Sequence, residues 1–253
     1  MQGKTQRRPS PVKHQALGAH VPKAAASAAH SRTRIKICGL TREQDVDAAV
    51  AAGADAVGFV MYDKSPRYVT PERAAALARR LPPFVTPVLL FVNENTTKII
   101  AICADIPGAT LQFHGDETAT ACLQASRQSA RPFLRAARIP VGQAGLSFDL
   151  VKYAQTYSAA QALLLDAHVD GFGGSGTSFE WSLLPPSVDA HLVLSGGLTP
   201  ANVADGIQQV RPRCKSLAVD VSSGVELSKG IKDASKIHQF VAAVRAADVQ
   251  FAG

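Results

Sequence analysis

At 253 residues, 46% hydrophobic and 19% charged, the chain has the composition of a soluble globular unit with a substantial core, and α/β barrels reach this length as single domains. No apolar run approaches the roughly 20 residues that cross a bilayer, which argues against a membrane span. The net charge of +7 suggests a nucleic-acid partner until it is located: residues 1–33 hold six basic residues and no acidic one, and the remaining 21 of the 27 face 20 acidic residues.

The basic residues of that first stretch are Lys4, Arg7, Arg8, Lys13, Lys23 and Arg32. It is rich in Ala, Ser, His and Pro, has few large apolar residues and lacks the apolar core of a secretory signal, so residues 1–33 are expected to be a disordered basic extension. From residue 34 to 253 short β-type runs alternate with helical patterns. The runs are 35–38, 56–60, 88–92, 110–113, 133–136, 162–165, 192–194 and 217–219, mostly apolar throughout, as strands buried on both faces of a parallel sheet are. Thr41 with Gln44 forms a capping-box pattern ahead of a helix ending near Gly53, and Thr70-Pro71 opens another running to Arg80. Glu94 or Asn95 opens a third, Asp116 caps a helix from Glu117, and Ser147 caps one through Tyr153. Later helices are expected at 180–184, 200–209 (with Thr199 as N-cap) and 234–246. Eight strand–helix repeats predict a closed (β/α)8 barrel, the TIM-barrel architecture, as one domain over 34–253; the competing open sheet lacks G-x-G-x-x-G after its first strand.

In such a barrel the chemistry sits at the C-terminal ends of the strands. Cys38 ends the first strand just before a helix, where a thiol is either activated or simply buried. Arg67, in the loop after the second, offers a planar fork to a carboxylate or phosphate, or else is a solvated loop residue. His114 follows the fourth strand, with a role in closing the pocket favoured over one as a titrating group. Arg135 lies at the end of the fifth, suited to a buried ion pair or to a substrate contact. Asp166 follows three leucines, where partial burial raises a carboxyl pKa toward that of a general acid, or where it caps the next loop. The Gly-rich loop that follows carries Gly174 and Ser175. After the seventh strand comes Ser195-Gly196-Gly197, and after the eighth Asp220, Ser222 and Ser223; small residues there leave backbone N–H groups open to an anion, so the pair reads as a phosphate cup. The fitting ligand is a sugar phosphate with a second anionic group. The four cysteines, Cys38, Cys103, Cys122 and Cys214, lie far apart without C-x-x-C or ligand-spaced His, so neither metal nor disulfide is expected and a cytoplasmic location is.

CGLT at 38–41, SPRYV at 65–69, LQFHGDE at 111–117, LLLDA at 163–167, GGSGTSFEW at 173–181, SGGLTPANV at 195–203 and DVSSGVE at 220–226 together resemble the phosphoribosylanthranilate isomerase family, in its order and over residues 34 to about 247. The resemblance implies the Amadori rearrangement of N-(5-phosphoribosyl)anthranilate in tryptophan biosynthesis, with Cys38 as general base and Asp166 as general acid. It also implies Arg67 facing the anthranilate carboxylate, and Gly174, Ser175, Gly196, Gly197, Ser222 and Ser223 around the phosphate. His114, Arg135 and Asp220 are further candidate substrate contacts. No cofactor is implied, since the substrate nitrogen serves as electron sink. Expected partners are the small phosphosugar alone, in a monomer or homodimer, with no nucleic acid and no membrane. Glu180 stands where the family usually has Asp, and Leu227-Ser228-Lys229 replaces smaller residues. The rival readings are the histidine-pathway aminoaldose isomerase, which resembles this chain in its phosphate loops but uses a carboxylate in place of Cys38, and a non-catalytic phosphate-ligand binder.

Overall fold

The computed structural model describes residues 32–168 and 180–250, and its strands pair in chain order. They are β1 (Arg34–Cys38), β2 (Ala56–Val60), β3 (Thr86–Phe91), β4 (Thr110–Phe113), β5 (Phe133–Pro140), β6 (Ala162–His168), β7 (Val188–Leu194) and β8 (Cys214–Val221). All are parallel, and β1 bonds β8 with Lys36 opposite Asp220, which closes a (β/α)8 barrel. The expected extension lies outside the described residues up to position 31. A short antiparallel ribbon follows β8, made of β9 (Glu226–Ser228) and β10 (Ile231–Lys232).

Among the described residues six α-helices connect strands, α1 (Glu43–Ala52), α2 (Pro71–Ala78), α3 (Thr96–Ala104), α4 (Ala119–Ser129), α5 (Leu150–Thr156) and α6 (Val203–Val210), and α7 (Ala234–Gln250) follows β10. Thr70 and Asn95 cap α2 and α3 as expected, each accepting from a first-turn N–H. Other starts differ. Thr41 donates its hydroxyl to the carbonyl of Gly230 at 2.7 Å, so α1 begins after Arg42 with no side-chain cap. Thr118 rather than Asp116 caps α4, and Asp149 rather than Ser147 caps α5. Thr199-Pro200 forms a turn, closed by the Thr199 N–H donating to Asn202 Oδ1 at 2.8 Å, and α6 starts only at Val203. The helix expected at 180–184 is a single 3₁₀ turn, Trp181–Leu183.

Strand side chains alternate in direction, and the alternation sorts the core. Ile35, Ile37, Phe59, Leu89, Phe91, Leu111, Phe113, Leu163, Leu165 and Val219 point outward and pack with the helices into one apolar cluster. Each such side chain contributes about 1.5–3 kcal/mol on burial. The inward positions Ala136, Leu164 and Val193, with Ala162 and Ala218 against them, form a small separate plug inside the barrel. Lys36, Gln112, Asp166 and Asp220 share the inward parity and are all buried. Polar inward residues in an otherwise apolar barrel demand partners, and those partners make the site.

Candidate active site

Cys38 ends β1 on the same inward face as Lys36, two residues before it. Lys36 Nζ donates to Asp220 Oδ1 at 2.8 Å across the β1–β8 pairing, and both side chains are nearly sealed from solvent. Neighbouring Gly58 leaves room for both groups: a Cβ there would lie 2.6 Å from Cys38 Sγ and 3.1 Å from Lys36 Nζ. Burial works against the Lys36 charge, but the attraction of Asp220 and Cys38 outweighs it and holds the ammonium above its ordinary pKa. Burial pushes the Cys38 thiol up; Lys36 and Lys232 pull it back down, and Asp220 opposes them.

Across the rim, Asp166 near the end of β6 is bound on both oxygens. Oδ2 lies 2.9 Å from His114 Nε2, and Oδ1 accepts from the Ala167 N–H at 3.0 Å. Gln112 Nε2 lies 3.0 Å from His114 Nδ1. In this orientation the amide donates to Nδ1, which leaves Nε2 facing Asp166. Oδ1 faces the loop after β7: a Cβ on Gly196 would lie 2.9 Å from it.

The loops after β7 and β8 touch. Gly196 and Gly197 both adopt left-handed backbone, at φ 77° and 65°, which turns the chain sharply after β7. A Cβ on Gly224 would overlap the carbonyl of Leu198, so this glycine lets the two loops close on each other. Ser195 Oγ reaches Asp220 Oδ2 at 3.4 Å, linking the cup to the Lys36 pair.

Arg67, just after the second strand, grips Glu226 with two parallel hydrogen bonds, Nε to Oε1 at 2.7 Å and Nη2 to Oε2 at 2.8 Å. Lys232 Nζ completes the cluster, donating to Glu226 Oε1 at 2.9 Å, the Ser222 carbonyl at 3.0 Å and Ser222 Oγ at 3.3 Å. The bond to Glu226 raises the Arg67 pKa, with burial opposing it. A bidentate partner fixes the plane of the guanidinium, and Nη1 makes no hydrogen bond among the described residues. The strand ends thus gather Cys38, Arg67, His114, Asp166, Gly196, Gly197, Asp220, Ser222 and Ser223 on one mouth of the barrel.

These motifs are a family's. A family model described as N-(5'-phosphoribosyl)anthranilate (PRA) isomerase matches residues 35–243. The chain belongs to the N-(5'-phosphoribosyl)anthranilate isomerase family. Its relatives include the N-(5'-phosphoribosyl)anthranilate isomerase of Methylibium petroleiphilum, 61% identical over 87% of this chain and 98% of the relative. Among solved structures it is similar to phosphoribosyl anthranilate isomerase from Thermotoga maritima, at 38% identity and TM-score 0.73, covering 85% of this chain and 99% of the other. A phosphoribosyl anthranilate isomerase in complex with reduced 1-(o-carboxyphenylamino)-1-deoxyribulose 5-phosphate matches at 35% identity and TM-score 0.67, covering 85% and 99%. As a member of this isomerase family the chain is an enzyme.

Three of the residues read as isomerase contacts do not join the others in the described structure, for different reasons. Gly174 and Ser175 lie outside the described residues. Arg135 is described, but it shares the outward parity of Phe133 and Ala137 and so leaves the rim. Its fork donates to the carbonyls of Phe113 and Gly115, both at 3.0 Å, and to Glu117 Oε2 at 2.9 Å, with the Tyr157 ring 4.9 Å away. Of its two sequence readings the structure contains the ion pair. Conversely, Lys36, Gln112, Glu226 and Lys232 escaped the sequence reading. Counting by twos back from Cys38 and His114 would have found Lys36 and Gln112, since both lie in strands that are otherwise apolar. Glu226 and Lys232 belong to the short ribbon after β8, and no periodicity announces that ribbon. Another cavity, of about 620 Å³, opens at the opposite mouth among Arg34, Thr86, Thr110, Leu134 and Val193, away from the acid and the thiol.

Proposed function

We propose that the chain catalyses the Amadori rearrangement of N-(5'-phosphoribosyl)anthranilate to 1-(2-carboxyphenylamino)-1-deoxyribulose 5-phosphate, in tryptophan biosynthesis and in the cytoplasm, as a monomer or homodimer and without a cofactor. The observation that carries the reading is the placement of one thiol and one carboxyl group, Cys38 and Asp166, inward from β1 and β6 on the mouth that also bears the glycine–serine cup. Acid and base on separate strands suit a ribose held between them.

Asp166 donates a proton to the ribose ring oxygen, the C1–O bond breaks, and the nitrogen lone pair forms the Schiff base. Cys38, as thiolate, then takes the proton from C2; the electron pair moves into the C1–C2 bond and onto nitrogen, giving an enolamine that tautomerises to the aminoketose. His114 acts through Asp166. The Arg67 fork, held by Glu226, presents Nη1 to the anthranilate carboxylate. The loop N–H groups around Gly196, Gly197, Ser222 and Ser223 receive the phosphate. The analogue bound to the solved relative has the same parts: a carboxyphenylamino group, a deoxyribulose and a phosphate.

A steady-state assay with N-(5'-phosphoribosyl)anthranilate tests this. Catalytic loss of substrate fluorescence is expected, with the aminoaldose of histidine biosynthesis left nearly untouched. Absence of turnover overturns the reading, and equal turnover of both substrates overturns its specificity.

A further inference from the structure

For Cys38 to serve as a base, a buried sulfur must carry a negative charge, and burial alone opposes that. We propose that Lys36 is the counter-cation of the Cys38 thiolate and that Asp220, by holding the same ammonium, sets how much of its charge the sulfur receives. The inference rests on the role assigned to Cys38 above, and concerns a positioning pair that acts through the sulfur.

Geometry supplies the first argument. Lys36 and Cys38 project from alternate residues of one strand into the same space beside Gly58, where a single added methyl would abut both Nζ and Sγ. Lys36 is 4% exposed, and Asp220 takes one of its hydrogen bonds. An ammonium has three donors, so donors remain for the sulfur.

Charge supplies the second. The groups that act on Cys38 are Lys36 on its own strand, Asp220 on β8, Lys232 on β10 and Arg67 from the loop after β2, with Glu226 behind the last two. Arg67 and Lys232 share the carboxylate of Glu226, and Lys36 faces that of Asp220. Three cations against two carboxylates leave one positive charge, which a thiolate neutralises. Lys232 is poorly placed to be the counter-cation, because its three donors already go to Glu226 and twice to Ser222.

The two partners therefore pull the thiol in opposite directions, and that opposition is the test. The full chain is treated with iodoacetamide over a range of pH, and alkylation at Cys38 is followed by peptide mass, apart from Cys103, Cys122 and Cys214. Lys36→Met is expected to raise the apparent pKa of Cys38 by about one unit, and Asp220→Asn to lower it by a similar amount. The double variant Lys36→Met/Asp220→Asn, which buries no lone charge, is expected to lie between the parent and Lys36→Met. If Lys36→Met does not fold, comparing the double variant with Asp220→Asn isolates the lysine. Shifts of the same sign in the two single variants overturn the proposal, as does an unchanged Cys38 profile or an unshifted comparison of the double variant with Asp220→Asn. Since alkylation needs no turnover, a Cys38→Ala enzyme that stays active would remove the catalytic role of Cys38 and leave this result standing.

Discussion

His114 Nε2 stands 2.9 Å from Asp166 Oδ2, and the ring is oriented by Gln112, whose amide nitrogen lies 3.0 Å from Nδ1. Gln112 is fully buried, and its Oε1 has no partner among the described residues. An unsatisfied buried oxygen costs about 1–3 kcal/mol, an expense explained by what the other half of the amide does. By donating to Nδ1 it turns Nε2 of the ring toward Asp166.

Replacing Gln112 with Glu reverses the arrangement. A carboxylate accepts from Nδ1–H where the amide donated, and so disturbs the ring that faces Asp166, the proposed acid. The turnover number is expected to fall on the order of 100-fold, with a smaller change in KM. Steady-state kinetics beside a far-UV circular dichroism comparison check it; unchanged turnover would show that the orientation of the His114 ring does not matter.

Cys38→Ala and Asp166→Ala are each expected to lower the turnover number by at least about 100-fold, the usual contribution of a general base or acid. Both side chains are small and lie at strand ends, so the variants should fold. Near-full activity in either one removes the role assigned to that residue.

The barrel was legible because most of its eight strands are apolar almost throughout, and the family motifs sit where β/α loops begin. Helix starts were less legible. Thr41 has the spacing of a capping box, yet its hydroxyl is drawn to Gly230, 189 residues further along the chain. Residue type alone could not separate Arg135 from a rim arginine; its parity relative to Phe133 could. Lys36 and Glu226 were hidden for a related reason, since a buried charge becomes intelligible only when its partner from a distant strand or ribbon is in place.

Glu226 is the hub that orients Arg67. Glu226→Gln halves a two-pronged grip and leaves Arg67 and Lys232 without a counter-charge, so the fork loosens. A KM increase of about tenfold is expected, with a smaller effect on the turnover number, because Arg67 is the residue proposed to hold the aromatic carboxylate. Removing one member of a buried ion pair also costs about 3–5 kcal/mol of stability, readable as a lower urea midpoint. A variant with unchanged KM would mean that Arg67 does not need Glu226 to bind substrate.

Gly58→Ala tests the crowding between the first two strands. The new methyl would fall 2.6 Å from Cys38 Sγ, 3.1 Å from the Cys38 Cα and 3.1 Å from Lys36 Nζ, so the sulfur must move. Overpacking of this kind costs about 1–3 kcal/mol. Turnover is expected to drop more than stability implies, since the displaced atom is the proposed base. Full activity with normal KM would place the working sulfur elsewhere.

Acid stability follows from the two carboxylates that tie distant parts of the chain together. Burial alone would raise the Asp248 pKa, but hydrogen bonds from Thr33 and Arg211 outweigh it and hold the carboxyl below its ordinary range. That contact latches α7 to the entrance of β1: Thr33 N donates to Asp248 Oδ2 at 3.1 Å, and Arg245 Nη1 donates to the Thr33 carbonyl at 2.7 Å. Glu226 behaves likewise, burial raising its pKa and the bonds from Arg67 and Lys232 lowering it further. For both groups the unfolded chain binds the proton more readily, so their stabilisation is fully present above the ordinary carboxylate range near pH 4 and is lost as pH falls through the folded values. Urea midpoints measured from pH 7 down to pH 3 should therefore decline most steeply below about pH 4.5. Asp248→Asn should lower the midpoint at pH 7 and flatten that decline. A variant as acid-sensitive as the parent would assign the loss to other carboxylates.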